Sequence, residues 1–148
     1  MLVLDVATTV CIGLLIGVEF AVSAFINPIL AKLEAGARAE AVGMFARRLG
    51  FVMPFWYVGS LLLLLAGAVL RWHGAGGSLL LAACAIWVAV IVATLLVLVP
   101  INNRIGRLDA KAFPAEAQRE HRTWDRWHRV RVAALAAAAV CFLVAVRV

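Results

Sequence analysis

Glu19 is an acidic side chain in the middle of an apolar run, residues 6–31. A carboxylate at the centre of a bilayer costs roughly 3 kcal/mol on insertion scales, so a membrane helix that carries one needs a partner or a use for it. Ser23 and Asn27 follow at i+4 and i+8, which puts all three on one helix face and points that face into protein. A carboxylate so placed can accept a proton, hydrogen-bond a ligand or hold a metal ion. It can also be a structural hydrogen bond between helices.

A second group lies in TWDRWHRVR, where Trp124, Trp127, His128 and Arg131 are spaced i, i+3, i+4, i+7 and share a face. His128 has the side chain best suited to acid–base work near neutrality, with an unperturbed pKa of about 6.5. Tryptophan and arginine are also ordinary anchors at a membrane surface, so the same residues fit a purely positional role. The third group, Pro100-Ile101-Asn102-Asn103-Arg104, closes another apolar run. One amide there can cap a helix end; two adjacent amides, Asn102 and Asn103, at the level of His128 also fit a small-molecule site.

Other residues carry less. His73 falls in a Gly-rich turn, and His121 precedes His128 by seven residues, an awkward spacing for a metal pair. Cys11, Cys84 and Cys141 lie in three separate apolar runs with no C-x-x-C. Three is an odd number, which excludes a disulfide framework using all of them, and they read as small apolar core residues. No histidine lies deep in a run, which disfavours a bis-histidine haem. Glu19 and His128 remain the candidates for a metal ion. Phosphate loops, nucleophile elbows and HExxH are absent from the sequence.

Four apolar runs must position these groups. Of 148 residues, 66% are hydrophobic and 15% charged, against about 45–50% and 25% in soluble domains. The mean hydropathy is +1.02. A disordered chain is excluded. Crossings are expected at about residues 6–31, 51–70, 78–100 and 127–146, each near the roughly 20 residues that span a bilayer. The fold class is therefore all-α: a four-transmembrane-helix bundle forming one integral membrane domain over residues 1–148. The stretch 32–50, with Leu33, Ala37, Ala41, Phe45 and Leu49 at steps of four among Lys32, Arg38, Arg47 and Arg48, predicts a short amphipathic helix between the first two crossings. The N-terminal run lacks the preceding basic residues of a signal peptide and is too long for one, so it is expected to be retained.

Twelve of the 14 Lys and Arg residues fall between the first and second runs or between the third and fourth; Arg71 and Arg147 alone lie on the other side. This asymmetry predicts both long loops in the cytoplasm and both termini outside, in a bacterial-type inner or plasma membrane. It also removes the nucleic-acid reading of a basic chain, because the charges are short juxtamembrane clusters. Gly13 and Gly17 form a GxxxG step on the first helix, a face on which two copies could pack into a homo-oligomer. The expected partners are the lipid bilayer and a small hydrophobic substrate.

Taken in order, G-x-E-F-A-V-x-A-F-x-x-P-x-L on the first helix, M-P-F-W on the second, V-P-I-N-N-R-I ending the third and W-x-R-W-H-x-V-R opening the fourth resemble the small four-helix membrane family that includes the anthrone oxygenases. The resemblance spans nearly the whole chain. It implies an oxygenase acting on an activated aromatic such as an anthrone, with no organic cofactor required. An anthrone methylene is acidic because its carbanion delocalises into an aromatic oxyanion, which then reacts with dioxygen. On that implication His128 is the base, and Asn102, Asn103 and Arg131 steady the oxyanion. Trp124 and Trp127 offer flat faces to the ring system, while Asn27 binds substrate and Glu19 orients it or receives a proton. At 1.5 Å per residue Glu19 sits roughly 12 Å deeper than Asn27, so Glu19 and His128 can line the floor and the mouth of one cavity and need not touch. Two other classes stay open: a metalloenzyme built on Glu19, Asn27 and His128, and a non-catalytic membrane subunit or small-molecule carrier whose polar residues join helices.

Overall fold

The computed structural model describes residues 1–107 and 114–148; Lys111, counted among the loop charges, lies outside them. The described residues form four long helices and no strand. We label them α1 (Leu2–Leu30), α2 (Ala35–Leu70), α3 (Gly77–Ile105) and α4 (Ala115–Ala145). Each is long and apolar enough to cross a membrane. α1 and α3 both pack on α2 and α4, so the helices form a ring with α1 and α3 diagonal to each other. At the end that carries the chain termini, a core of Ile12, Leu15, Leu64, Leu80, Trp87, Leu135 and Phe142 fills the ring. A smaller cluster, Leu30, Ala39, Val42, Ile101, Ile105 and Ala117, closes the opposite end.

The terminal end is tied by close backbone approach and by charge. A Cβ on Gly76 would stand 2.2 Å from the Ala145 carbonyl oxygen, so only glycine lets the turn before α3 sit on the end of α4. Arg71 donates to both carboxylate oxygens of Asp5, at 2.8 and 2.7 Å, joining the end of α2 to the start of α1.

The expected short amphipathic helix is not a separate element. Residues 35–70 form one helix of 36 residues, about 54 Å long at 1.5 Å per residue. Pro54 removes one backbone donor inside it, but a packed bundle tolerates that loss where neighbouring groups meet the freed carbonyl. The buried face of the first turns is Ala39, Val42 and Gly43, small residues pressed on α3 and α4. The row predicted to be apolar-facing is offset from it: Leu33 and Phe45 are exposed. The fourth helix also starts earlier than the predicted 127, at Ala115, which draws the Trp124–Arg131 segment inside the ring.

Two helices are interrupted by a π-helical turn, at Val22–Ile26 in α1 and Thr94–Leu98 in α3. Asn27 N–H bonds to the Val22 carbonyl and Val99 N–H to the Thr94 carbonyl, each an i→i−5 step. In both helices a proline follows the start of the π turn by six residues, Pro28 and Pro100. A proline has no N–H for the carbonyl four residues back, here that of Ala24 or Leu96, so the ladder loosens just where the wide turn forms. The wide turn has a second effect. In an uninterrupted α-helix Asn27 would be rotated about 80° from Glu19; the extra residue taken up by a π turn cancels most of that. Glu19 and Asn27 are accordingly both buried, while Ser23 between them is only half-buried.

Candidate functional site

Glu19 is 3% exposed and both of its carboxylate oxygens are engaged. Tyr57 Oη donates to Oε1 at 2.8 Å, and Arg131 Nη2 donates to Oε2 at 2.6 Å. The acid on α1 is thus met by a phenol from α2 and a guanidinium from α4. His128, 1% exposed, completes the group: its Nε2 lies 3.0 Å from the Glu19 carbonyl oxygen, and its Nδ1 lies 3.3 Å from Glu19 Oε2 and 2.8 Å from Arg131 Nη2. The partners assign the imidazole tautomer. A carbonyl oxygen only accepts, so Nε2 carries hydrogen; Arg131 only donates, so Nδ1 offers its lone pair. Arg131 Nη2 therefore bridges two acceptors, the Glu19 carboxylate and the His128 ring.

Surrounding side chains hold these four in place. Trp124 stacks on His128, with ring centroids 4.6 Å apart and planes 12° from parallel, and His121 stacks on the far side at 6.0 Å. The Arg131 guanidinium carbon stands 5.7 Å from the centre of the Tyr57 ring, a cation–π contact. Trp87 Nε1 donates to the Tyr57 backbone carbonyl at 3.1 Å, locking α3 to α2 at this level. Arg131 Nη1 reaches Thr94 Oγ1 at 3.5 Å, the weakest bond of the set by length.

The group lines a cavity of about 230 Å³ to which all four helices contribute and which opens between α2 and α3, where Val58 and Leu95 in its wall are exposed. Its polar lining is Glu19, Tyr57, Thr94, Asn102, His128 and Arg131; its apolar lining includes Val22, Met53, Ile91 and Leu95, and Trp124 forms part of the wall. Trp124 Nε1 and Arg131 Nε are buried without hydrogen-bond partners in the structure. The volume falls below the roughly 300–1,000 Å³ of pockets that take drug-sized ligands, so it suits a small, flat, mostly apolar molecule with one or two acceptor atoms.

Of the residues singled out by sequence, Glu19, His128, Arg131, Trp124 and Asn102 line this cavity. Glu19 and His128, for which the sequence required no contact, do touch. α4 begins thirteen residues before His128, about 20 Å of helix, so His128 reaches the level of Glu19 rather than the mouth. Three residues do not join them. Trp127 is 44% exposed and faces outward beside α3. Asn103 is exposed. Asn27 lines a smaller neighbouring cavity and donates through Nδ2 to Asp125 Oδ1 at 2.9 Å. The Glu19, Asn27 and His128 metal set is therefore not assembled, and the Arg131 cation stands between the two that do meet. Among the described residues no three His, Cys, Asp or Glu side chains converge as a metal site. Gly13 and Gly17 meet no atom within 4 Å of an added Cβ, so the GxxxG face is turned outward.

Tyr57 and Thr94 were missed by the sequence reading, together with the α2 wall as a whole. Tyr57 is the only tyrosine of the chain, and a hydroxyl in an apolar span seeks a partner; that was the available signal. Thr94 had none beyond being a hydroxyl in an apolar run. The cluster can hold a proton at His128 Nδ1, where the imidazolium formed would face Glu19 Oε2. It can also present Arg131 to an anion in the cavity.

The family model of anthrone oxygenase matches residues 42–141, about two thirds of the chain. The matched stretch contains Tyr57, Thr94, Asn102, Trp124, His128 and Arg131; Glu19 precedes it. Neither a curated protein nor a solved structure matches the chain. With four apolar helices gathered around a common cavity and the family pattern running through three of them, the chain belongs to the anthrone oxygenase family.

Proposed function

We propose that this membrane protein oxidises a small activated aromatic of the anthrone type with dioxygen, using His128 as the base. The observation that carries the reading is the placement of the His128 Nδ1 lone pair beside both Glu19 and Arg131, on the wall of an apolar cavity. A neutral substrate enters, its oxygen draws Arg131 Nη2 off His128, and the Nδ1 lone pair so freed takes a proton from the ring methylene. The new Nδ1–H turns to Glu19 Oε2, already 3.3 Å away. Arg131, already off His128, donates to the oxyanion that has formed, where the Trp124 indole N–H is a further donor. The carbanion reacts with dioxygen at carbon, and the peroxide anion formed takes the proton back from His128. The resulting hydroperoxide loses water to give a carbonyl. Both C–H bonds of the methylene and the O–O bond are broken; one oxygen atom ends in the product and the other in water. The substrate supplies all four electrons, so the reading calls for no organic cofactor.

We place the His128 end of the bundle toward the cytoplasm, with both termini outside, on the distribution of Lys and Arg. Oxygen uptake by the protein in lipid vesicles, with anthrone as substrate, tests the activity. Wild type should consume one dioxygen per quinone formed, and His128→Ala should lose about 10²–10⁴-fold in rate while retaining its helical content. Wild-type turnover in the His128→Ala protein would overturn the assignment of the base.

A further inference from the structure

On its outer side the wall formed by Thr94 and Arg131 is also hollow. A concavity of about 230 Å³ lies between α3 and α4, lined by Ala89, Val90, Ala93, Trp127, Val130 and Ala134, and its inner wall is again Thr94 and Arg131. It runs into a broad, open groove along α3, with which it shares Ala89, Ala93 and Trp127. Both hollows are almost wholly apolar in lining, and the helix surfaces beside them, Val88, Val92 and Leu96, are exposed. The bilayer is the medium that meets such a surface. Lipid-facing groove, intermediate hollow and reactive cavity are thus in series, and two side chains separate the last two.

We propose that hydrophobic substrate enters the reactive cavity sideways from the membrane, between α3 and α4, through a portal whose latch is the Arg131–Thr94 contact. The inference rests on the oxidation reading for the identity of the substrate. Arg131 Nη1 to Thr94 Oγ1 is 3.5 Å, long for a hydrogen bond, so opening costs little there. Arg131 stays tethered by Glu19 as it moves. The π turn that begins at Thr94 leaves this part of α3 without a regular ladder, where local backbone adjustment is least costly. Ala89 and Ala93, one turn apart, keep the groove floor low enough for a flat ring system. Trp127 stands at the groove edge and offers its indole face to an arriving aromatic, which gives this outward tryptophan a part in delivery rather than in the reactive cavity. Two paths compete: one from the loop end, where the smaller cavity shares Val22, Leu49, Asn102 and Trp124 with the reactive one, and one between α2 and α3, where Val58 and Leu95 in the wall of the reactive cavity are themselves exposed.

The test compares Ala89→Phe and Ala93→Phe, which fill the groove, with Ala46→Phe, which fills the loop-end path outside the reactive cavity, with Val58→Phe at the opening between α2 and α3, and with Leu62→Phe on the exposed outer face of α2. None adds an indole. Each protein is reconstituted in phosphatidylcholine vesicles. Two quantities are read: kcat and KM for anthrone, and the rate at which anthraquinone dissolved in the bilayer quenches tryptophan fluorescence. The groove variants should lose about tenfold in kcat/KM with kcat little changed, the mark of hindered entry rather than damaged chemistry. They should slow quenching by a similar factor at an unchanged end point, and Leu62→Phe should match wild type. The portal is overturned if Ala46→Phe or Val58→Phe produces these losses and the groove variants do not, or if anthraquinone fails to bind. Slowed quenching in the groove variants of a protein that does not oxidise anthrone would retire the oxidation reading and leave the portal standing.

Discussion

Arg131 Nη2 serves two acceptors, and the chemistry proposed here turns on which of them it keeps. Glu19→Gln leaves a guanidinium 88% withdrawn from solvent beside a neutral amide, since the Arg131 side chain is 12% exposed. Removing one partner of a buried pair typically costs about 3–5 kcal/mol, so the variant should unfold at clearly lower temperature in detergent. Its turnover should fall too, because nothing then faces the imidazolium. A Glu19→Gln protein as stable and as active as wild type would mean that the carboxylate neither pairs nor acts. The inward placement of Glu19 was legible from sequence, because an ionisable group at membrane depth is conspicuous by itself; His128 stood out only as an imidazole at the end of a crossing. Their contact was not, because a fourth crossing that starts at residue 127 leaves His128 at its mouth, whereas the helix begins at Ala115. The polar residues before the apolar run are drawn inward by the acid they meet. Trp127 misled for a geometric reason. Positions i, i+3, i+4 and i+7 cover an arc of about 100°, and Trp127 falls at its edge, about 60° from Trp124, on the lipid side.

At the scale of the helix the two π turns do the positioning. Pro100→Ala returns a donor to the Leu96 carbonyl and lets Thr94–Leu98 relax toward a regular helix. That change would rotate Asn102 relative to Thr94 and take one of them off the cavity wall. Expected is unchanged or higher thermal stability together with reduced turnover, read by unfolding and oxygen uptake on the same preparation. Equal activity in the variant would show that the wide turn is a packing accommodation only. The four helices were legible, because 18-residue apolar stretches admit few other structures. The π turns were not, since hydropathy has no signal for one additional residue per turn; the proline six residues after the start of each is the local trace. The continuity of α2 escaped for the opposite reason. A change from charged to apolar composition near residue 50 looks like a boundary, yet backbone hydrogen bonding carries through it.

For the molecule as a whole the first question is orientation. Reporters fused at Gly76 and at Ala115 should give opposite signals, with Ala115 cytoplasmic; labelling of Ala115 from outside would reverse the compartment that the His128 end faces. The Asp5–Arg71 bridge and the Gly76–Ala145 approach lie at the far end from the reactive cavity, so they hold the ring shut where no substrate needs to pass. The charge balance of the central cluster has one further consequence. Glu19 and Arg131 together carry no net charge, and His128, donating from Nε2 and accepting at Nδ1, adds none. Moving a proton from a neutral substrate to His128 makes one cation and one anion a few ångströms apart and still sums to zero. A transmembrane voltage acts on charge carried along the field, about 2.3 kcal/mol per elementary charge per 100 mV, and here there is almost none to act on. Turnover should run at the same rate in energised and de-energised vesicles, and a substrate already ionised in water should be refused entry.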